Sequence, residues 1–130
     1  MVETTAEADS MKVLVCGGRN YGDSAAVYSA LMAIYEREPY DTLIIIQGGC
    51  PTGADAIARH WCIAHYVPYI NVPADWAKHG KSAGPIRNQR MIDVYEPDMV
   101  LAFPGGKGTA DMVLRAEKSA IRVELAGESD

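Results

Sequence analysis

Residues 42–55 read TLIIIQGGCPTGAD, and this stretch carries the strongest indication of architecture in the chain. The run TLIIIQ is short and almost continuously apolar, which is typical of a strand that is covered on both faces. Glycines follow, and residues 54–64 then repeat apolar side chains with a period near 3.6, which predicts a helix. The stretch therefore predicts a buried strand, a glycine-rich turn and a helix in direct succession.

The same succession recurs on both sides of this stretch. Short apolar runs predict strands at Lys12–Cys16, Thr42–Gln47, Tyr69–Val72, Met99–Phe103 and Arg122–Leu125. Helical periodicity falls between them, over residues 27–35, 54–64, 88–95 and 110–121. Strands that alternate with helices at this spacing are typical of right-handed βαβ units. The chain is therefore predicted to be an α/β protein, a three-layer Rossmann-like parallel sheet with helices on both faces.

Length and composition restrict the class of protein. The chain has 130 residues, 48% of them hydrophobic, and a formal net charge of −5, which excludes a mainly disordered chain and fits one core. No apolar run approaches the ~18 residues that a membrane span needs, and residues 1–10 lack the character of a secretory signal. We expect a polar leader at 1–10, one domain at 11–125 and a polar tail at 126–130, with no membrane partner.

The cysteines bear on location and on metal binding. Cys16, Cys50 and Cys62 are odd in number and lack Cys-x-x-Cys spacing, which favours free thiols in a reducing compartment, the cytoplasm. His60, Cys62 and His65 share a predicted helix, but at about 100° per residue His60 points away from the other two, so we expect no metal site. Cys50, just before a helix start, is a weak candidate nucleophile.

Three glycine-rich segments directly follow predicted strands. They are residues 17–22 after the first strand, 48–53 after the second and 104–109 after the fourth, and each runs into a helix. Ligands of open parallel sheets bind outside the carboxyl ends of the strands, and glycines beside a helix start present backbone N–H groups to an anion. None of the segments is a Walker motif or a GxGxxG turn after a strand. Together they predict a phosphate site, although each one alone is equally compatible with a structural turn.

Two aspartates near helix starts are candidates for contact with a sugar. Asp55 stands three residues after Thr52, which is also the spacing of a capping box, and Asp111 falls in the predicted first turn of the last helix. Acidic side chains beside nucleotide phosphates accept hydrogen bonds from ribose hydroxyls. Helix capping and ribose binding are both open interpretations of these residues.

Residues 76–90, WAKHGKSAGPIRNQR, hold four cations and no acid. The cations are Lys78, Lys81, Arg87 and Arg90. Pro85 suits the first position of a helix, which puts Arg87 in the opening turn, where a guanidinium can bind a phosphate. A solvated cationic face is the alternative. The stretch 73–84 has no predicted element, so we expect a functional loop there, in which Trp76 is a candidate to stack on a base.

Three segments resemble those of a known family: GGCPTGAD at 48–55, RNQRM at 87–91 and PGGKGTAD at 104–111. They resemble the small SLOG-superfamily domains of the YspA/YpsA-related type, found in bacteria and their phages, over about residues 11–121. This resemblance implies a Rossmann-like fold that binds nucleotides or nucleotide-derived ligands. We expect no cofactor. The candidate ligand-binding residues are Gly17, Gly18, Arg19, Gly48, Gly49, Thr52, Gly53, Asp55, Arg87, Asn88, Pro104, Gly105, Gly106, Gly108 and Thr109.

A more distant similarity is to the LOG-type phosphoribohydrolases, which cleave the N-glycosidic bond of nucleoside monophosphates. Their PGGxGTxxE motif matches Pro104 to Thr109, but Met112 takes the place of the glutamate and Asp111 stands one position earlier. The similarity implies Arg87 and Asp111 as candidate catalytic residues. Asp111 is shorter and rotated by about 100° along the helix, so it replaces the glutamate only if the ligand sits differently.

Three functions follow from these patterns. A sensor or binding domain for a phosphorylated nucleotide or nucleotide derivative is favoured, and an N-ribohydrolase using the same pocket is the alternative. Single-stranded nucleic-acid binding, suggested by the related SLOG fold of the DNA-processing protein DprA, is disfavoured because the net charge is −5 and only one short segment is basic. LOG-like proteins are commonly dimers, so a homodimer contact through Tyr28, Tyr35, Tyr40 or Tyr66 is left open.

Overall fold

A computed structural model describes residues 10–37 and 43–127 of the chain. The strands are β1 (Met11–Cys16), β2 (Leu43–Gln47), β3 (Tyr69–Asn71), β4 (Met99–Ala102) and β5 (Arg122–Leu125). The helices are α1 (Ser24–Arg37), α2 (Gly53–His65), α3 (Trp76–His79), α4 (Ala83–Tyr95) and α5 (Lys107–Lys118), with a 3₁₀ turn at Gly80–Ser82. The predicted alternation of strands and helices is therefore confirmed within the described residues.

The strands form one parallel sheet in the order β3-β2-β1-β4-β5. β1 lies at the centre, where Leu14 is in register with Ile46 of β2 on one side and Val100 of β4 on the other. The chain moves outward from β1 to β3 and then returns to place β4 on the opposite side of β1. The strand order thus reverses between β1 and β4, the point where open α/β sheets bind their ligands.

Helices cover both faces of the sheet. Val13 and Val15 of β1 belong to a buried cluster with apolar residues of α1 and α2, including the fully buried Trp61. Leu14 and Cys16, which alternate with them, belong to a second cluster with residues of α4 and α5. Because side chains of a strand point alternately to opposite faces, β1 is buried in two separate cores. The fold is the predicted three-layer, Rossmann-like α/β sheet.

The expected loop at residues 73–84 is wrong in part. Residues 76–79 form α3, the 3₁₀ turn follows, and α4 begins at Ala83, two residues before Pro85. The Asp75 carboxylate accepts a hydrogen bond from the backbone N–H of Lys78 at 3.1 Å and so starts α3. Pro85 is still tolerated because the first turn of a helix has no intrahelical partners for its N–H groups.

Smaller differences concern the ends of elements. β3 and β4 are each one residue shorter than their predicted runs, and Ile121 lies beyond α5 rather than within it. The chain turns at Ala120, which has a left-handed φ of 59°, and the N–H of Ile121 donates to Ala116 at 2.9 Å. Ile121 then packs against the second core, so its apolar character reflects packing rather than helical periodicity.

Several predictions fall outside the described residues. They concern residues 1–9 of the predicted leader, residues 128–130 of the predicted tail, Tyr40 and Thr42. The division into leader, domain and tail stays a prediction. Among the helices that are described, none is long and apolar enough to cross a lipid bilayer.

Candidate functional site

Residues of all three glycine-rich segments line one cavity of about 350 Å³. It opens at the carboxyl ends of β1 and β2 and at the start of α5, which follows β4, so it lies at the reversal of strand order. The predicted residues in its lining are Gly17, Gly18, Arg19, Gly48, Asp55, Arg87, Asn88, Gly106, Gly108 and Thr109. The structure thus brings together ten of the candidate residues, drawn from four segments far apart in sequence.

Backbone hydrogen bonds join the three glycine-rich segments. The N–H of Gly18 donates to the carbonyl of Pro104 at 2.9 Å, and the carbonyl of Gly18 accepts from the N–H of Ala54 at 3.2 Å. A Cβ at Gly18 would lie 3.2 Å from the Cα of Gly105, closer than side chains normally pack. Glycine is therefore favoured here because two backbones pass each other with little room for a side chain.

The remaining predicted ligand-binding residues support the segments and do not line the cavity. They are Gly49, Thr52, Gly53, Pro104 and Gly105. Gly53 has a φ of +75°, and a Cβ there would lie 2.6 Å from the Cα of Arg19. The Thr52 hydroxyl donates to the carbonyl of Arg19 at 2.7 Å and makes no cap bond to α2, so the capping-box interpretation is wrong. The hydroxyl instead ties the first two segments together.

Arg87 forms part of the cavity wall and is anchored by neutral acceptors. Its Nη1 donates to the carbonyls of Gly48 at 3.1 Å and Val72 at 3.3 Å, and its Nε donates to Oδ1 of Asn88 at 3.1 Å. Burial lowers the pKa of Arg87, and the nearby Asp55 opposes that shift. Nη2 has no hydrogen-bond partner within the described part of the chain. The guanidinium is therefore fixed in place with one amino group available to a ligand.

Asp55 is the carboxylate in the lining of this cavity. Its Oδ2 accepts a hydrogen bond from the backbone N–H of Cys50 at 3.3 Å. Burial raises the pKa of Asp55, whereas the N–H groups of Cys50 and Gly48 and the charges of Arg87 and Arg59 act in the opposite direction. Asp55 is therefore a partly desolvated carboxyl beside a fixed guanidinium.

The cavity is electropositive although the chain as a whole is acidic. Arg19, Arg87 and Lys107 are the cationic residues of its lining, against the single carboxylate of Asp55. Residues 106–109 at the start of α5 also line it, and Gly106 at the N-cap provides no side-chain hydrogen bond to the helix. Unpaired N–H groups and the positive end of the helix dipole thus lie at the cavity. The arrangement suits an anion.

Asp111, the second candidate carboxylate, does not line the cavity. It is the fifth residue of α5, and its Oδ2 accepts hydrogen bonds from Arg115 Nε at 2.8 Å and Asn88 Nδ2 at 3.0 Å. Burial alone would raise the pKa of Asp111, but these bonds and the charges of Arg115 and Lys118 outweigh it, so the pKa lies below its ordinary value. The structure therefore places Asp111 in a bridge between two helices and outside the cavity lining, while its predicted catalytic role stays a prediction.

Some cavity residues were missed by sequence reasoning. They are Val15, Cys16, Gly84, Met91 and Lys107. Lys107 lies inside the third glycine-rich segment, and Met91 follows Arg87 by one helical turn, so proximity to predicted residues was the available signal. Trp76, which is 51% exposed, and Cys50 also line the cavity. No histidine accompanies Cys50 in the lining, and no group of metal-ligating side chains suited to an ion occurs in residues 10–37 and 43–127.

The parallel sheet with helices on both faces, and the glycine-rich segments at its strand ends, define a Rossmann-like α/β domain. Within that class, the model of the YspA, cpYpsA-related SLOG family matches residues 11–79, and the chain belongs to this family. It is 38% identical over 124 residues to the Gene 61 protein of Mycobacterium phage D29, a match that covers 90% of this chain and 97% of that protein. The resemblance seen in the glycine-rich motifs is thereby confirmed.

Solved structures with the same architecture include two UDP-N-acetylglucosamine 2-epimerases. One superposes with a TM-score of 0.51 at 18% identity and covers 89% of this chain but 33% of the epimerase. The other, from Listeria monocytogenes, has a TM-score of 0.51 at 17% identity and covers 89% of this chain and 31% of the epimerase. The chain thus spans about a third of these enzymes. At this identity the likeness shows the fold alone.

Proposed function

We propose that this protein binds a phosphorylated nucleotide or nucleotide-derived ligand in the cavity between the three glycine-rich segments, as a sensor or ligand-binding domain. One observation carries the proposal: residues 106–109 at the start of α5 and the fixed guanidinium of Arg87 line the same cavity. Backbone N–H groups and a guanidinium are the donors that hold phosphate in proteins. Membership in a SLOG family is compatible with a ligand of this kind.

Each part of a nucleotide has a matching element in the lining. The phosphate lies at the start of α5, within reach of Arg87 Nη2. Asp55 accepts hydrogen bonds from ribose hydroxyls, since its carboxyl lies in the cavity lining and its two oxygens offer more acceptor sites than the N–H groups of Cys50 and Gly48 occupy. Trp76 is half-exposed at the cavity and stacks on the base.

Hydrolysis of a nucleoside monophosphate is the alternative function for the same cavity. The role that the similarity to phosphoribohydrolases implies for Asp111 has no geometric support, because that carboxylate is held by Arg115 and Asn88. Asp55 is the carboxyl placed to stabilise positive charge on a ribose. Incubation of the protein with nucleoside monophosphates, followed by chromatography for free base, separates the two functions. Release of base would replace the binding proposal with the enzymatic one.

Thermal unfolding in the presence of a nucleotide library tests the binding proposal. A ligand at a hundred times its Kd adds about 2.7 kcal/mol of stability, which is readily measured. We expect Arg87→Ala to abolish the shift and Lys81→Ala to preserve it, because Lys81 belongs to the same basic segment but does not line the cavity. An unchanged shift in Arg87→Ala would remove Arg87 from the site, and absence of any shift in the parent protein would reject the proposal.

Two further aspects belong to the proposal. Cys16, Cys50 and Cys62 are all unpaired, which supports location in the reducing cytoplasm. Tyr28 and Tyr35 of α1 and Tyr66 after α2 are exposed and support a homodimer contact on that side of the sheet.

A further inference from the structure

A second cavity, of about 490 Å³, borders Arg87. Arg87 is the residue that the linings of the two cavities share, and its Nη1 bonds to Gly48 of the first lining and Val72 of the second. The charged or titratable side chains around the second cavity, apart from Tyr95, are Asp75, Lys78, His79, Arg87 and Arg90. One half-buried guanidinium therefore borders two hollows, both of which are rich in cations.

Two cations of the second cavity, Lys78 and Arg90, have no carboxylate partner in the described part of the chain. Lys78 and Arg90 make no side-chain hydrogen bond or ion pair within residues 10–37 and 43–127. The Asp75 carboxylate is directed at the backbone of Lys78, where it caps α3. Arg87 and Arg90 stand three residues apart on α4, so like charges lie on one face of that helix. An anion in the hollow would relieve this repulsion.

We propose that the second cavity is a subsite for a second anionic group of the same ligand, so that the protein prefers a pyrophosphate-linked dinucleotide, or a comparable two-headed nucleotide derivative, over a mononucleotide. This inference rests on the proposed function of the first cavity. Arg87 lies between the two phosphate positions, with Lys78 and Arg90 binding the distal group. A mononucleotide occupies the first cavity and leaves these two cations solvated.

The test compares two double variants of equal charge. Lys78→Ala/Arg90→Ala removes the two cations of the subsite, and Lys81→Ala/Lys118→Ala removes two exposed cations that line neither cavity. AMP and NAD serve as the mononucleotide and dinucleotide probes in isothermal titration calorimetry. In the parent protein we expect NAD to bind at least ten-fold more tightly than AMP, a difference of about 1.4 kcal/mol. The subsite variant should lose that ten-fold advantage with AMP affinity unchanged, and the control should keep it.

Each other outcome has a defined meaning. Equal affinity for AMP and NAD in all three proteins overturns the second subsite and leaves the first cavity as a nucleotide site. Absence of binding by either probe, and by the rest of the nucleotide library, rejects the proposed function as well. Inorganic phosphate that binds the AMP-loaded parent protein, but not the subsite variant, overturns the two-headed ligand in favour of an independent phosphate site. If the subsite variant loses affinity only for labelled single-stranded oligonucleotides, and not for NAD, the subsite is overturned in favour of a nucleic-acid contact.

Discussion

Arg87 is a cation whose hydrogen bonds, within the described residues, all go to neutral groups. No direct salt bridge there neutralises its charge. Its hydrogen bonds run to two backbone carbonyls and to the amide of Asn88, which satisfy the donors but carry no net negative charge. Asp55 is near enough to act on Arg87 electrostatically, yet it is hydrogen-bonded to Cys50. The positive charge is therefore available to an anionic ligand, which is the physical basis of the proposed site.

Gly53 and Gly108 are expected to respond oppositely to alanine. Gly53→Ala puts a side chain at a φ of +75° and against the backbone of Arg19, so we expect a loss of about 2–5 kcal/mol in the free energy of unfolding. Gly108 lies within α5 and nothing stands within 4 Å of its would-be Cβ, so Gly108→Ala should stabilise by up to about 1 kcal/mol. Urea unfolding of both variants measures these changes in the free energy of unfolding. A Gly53→Ala protein as stable as the parent would contradict the prediction.

Asp55 and Asp111 should give opposite pH dependences of stability. The raised pKa of Asp55 means that its stabilising contribution is full below the ordinary value of 3.8 and is lost as pH rises through the folded-state pKa. The lowered pKa of Asp111 means that its contribution is present above 3.8 and is lost as pH falls through the folded-state pKa. The stability of Asp55→Asn relative to the parent protein should therefore increase as pH rises from about 3 to 7. The relative stability of Asp111→Asn should decrease over the same range.

Urea unfolding at several pH values across that range measures both differences. Each variant is the control for the other, because both remove one carboxylate charge. Parallel pH profiles for the two variants would show that the opposite environments of Asp55 and Asp111 do not act on stability in the way described.

At the scale of elements, a chain of polar side chains holds α4 against α5. Asn88 of α4 donates to the carbonyl of Gly108 at 3.2 Å as well as to Asp111, and Arg115 Nη1 donates to Gln89 at 2.9 Å. These contacts fix the start of α5 relative to Arg87, which is adjacent to Asn88. The two groups proposed to bind an anion, the start of α5 and Arg87, are thus aligned by a helix pair rather than by the loops alone.

Strand position in the sheet predicts the order of amide hydrogen exchange. β1 is paired on both sides and its residues 13–15 are fully buried, whereas β3 has three residues at one edge of the sheet. We expect amides in the middle of β1 to exchange at least about a hundredfold more slowly than those of β3. Exchange followed by NMR measures this, and equal protection in the two strands would contradict the described sheet order.

At the scale of the whole molecule, charge is distributed unevenly. The segment 76–90 carries +4, which leaves −9 for the rest of the chain. Two of its cations, Lys78 and Arg90, lie around the second cavity, and Arg87 borders both cavities. Three of the four cations therefore lie around two neighbouring cavities, and the segment does not form the long cationic track that a nucleic-acid strand needs.

This charge distribution predicts that single-stranded oligonucleotides do not bind at physiological ionic strength. The acidic surface repels the phosphates of any oligonucleotide that extends beyond the basic segment. Salt screens the attraction between the remaining phosphates and the basic residues. Fluorescence anisotropy of a labelled oligonucleotide measures this binding, with a basic single-strand-binding protein as the positive control. Micromolar binding that weakens steeply with salt would contradict the prediction and restore the nucleic-acid function.

The amino-acid sequence by itself determined the elements and the edge of the sheet that carries the site. Apolar runs and helical periods are local patterns, so the strands and helices follow from a few neighbouring residues, and parallel strands bring the three glycine-rich segments to one edge. The family resemblance was likewise visible in the motifs at 48–55, 87–91 and 104–111, and the family model, which matches residues 11–79, includes the first of them. The element boundaries at Ala83 and Ile121 were misjudged because caps and packing, rather than periodicity, set them.

Only the tertiary structure decided which side chains face the cavity. Asp55 lines it and Asp111 does not, because the carboxylate of Asp111 pairs with Arg115 of its own helix and with Asn88 of α4. Arg87 is fixed by Gly48, 39 residues away, and by Val72. Gly48, Val72 and Asn88 are distant in sequence from the side chains that they contact, and they meet them only after the sheet has formed. Their identity depends on packing and strand order, which no local pattern encodes.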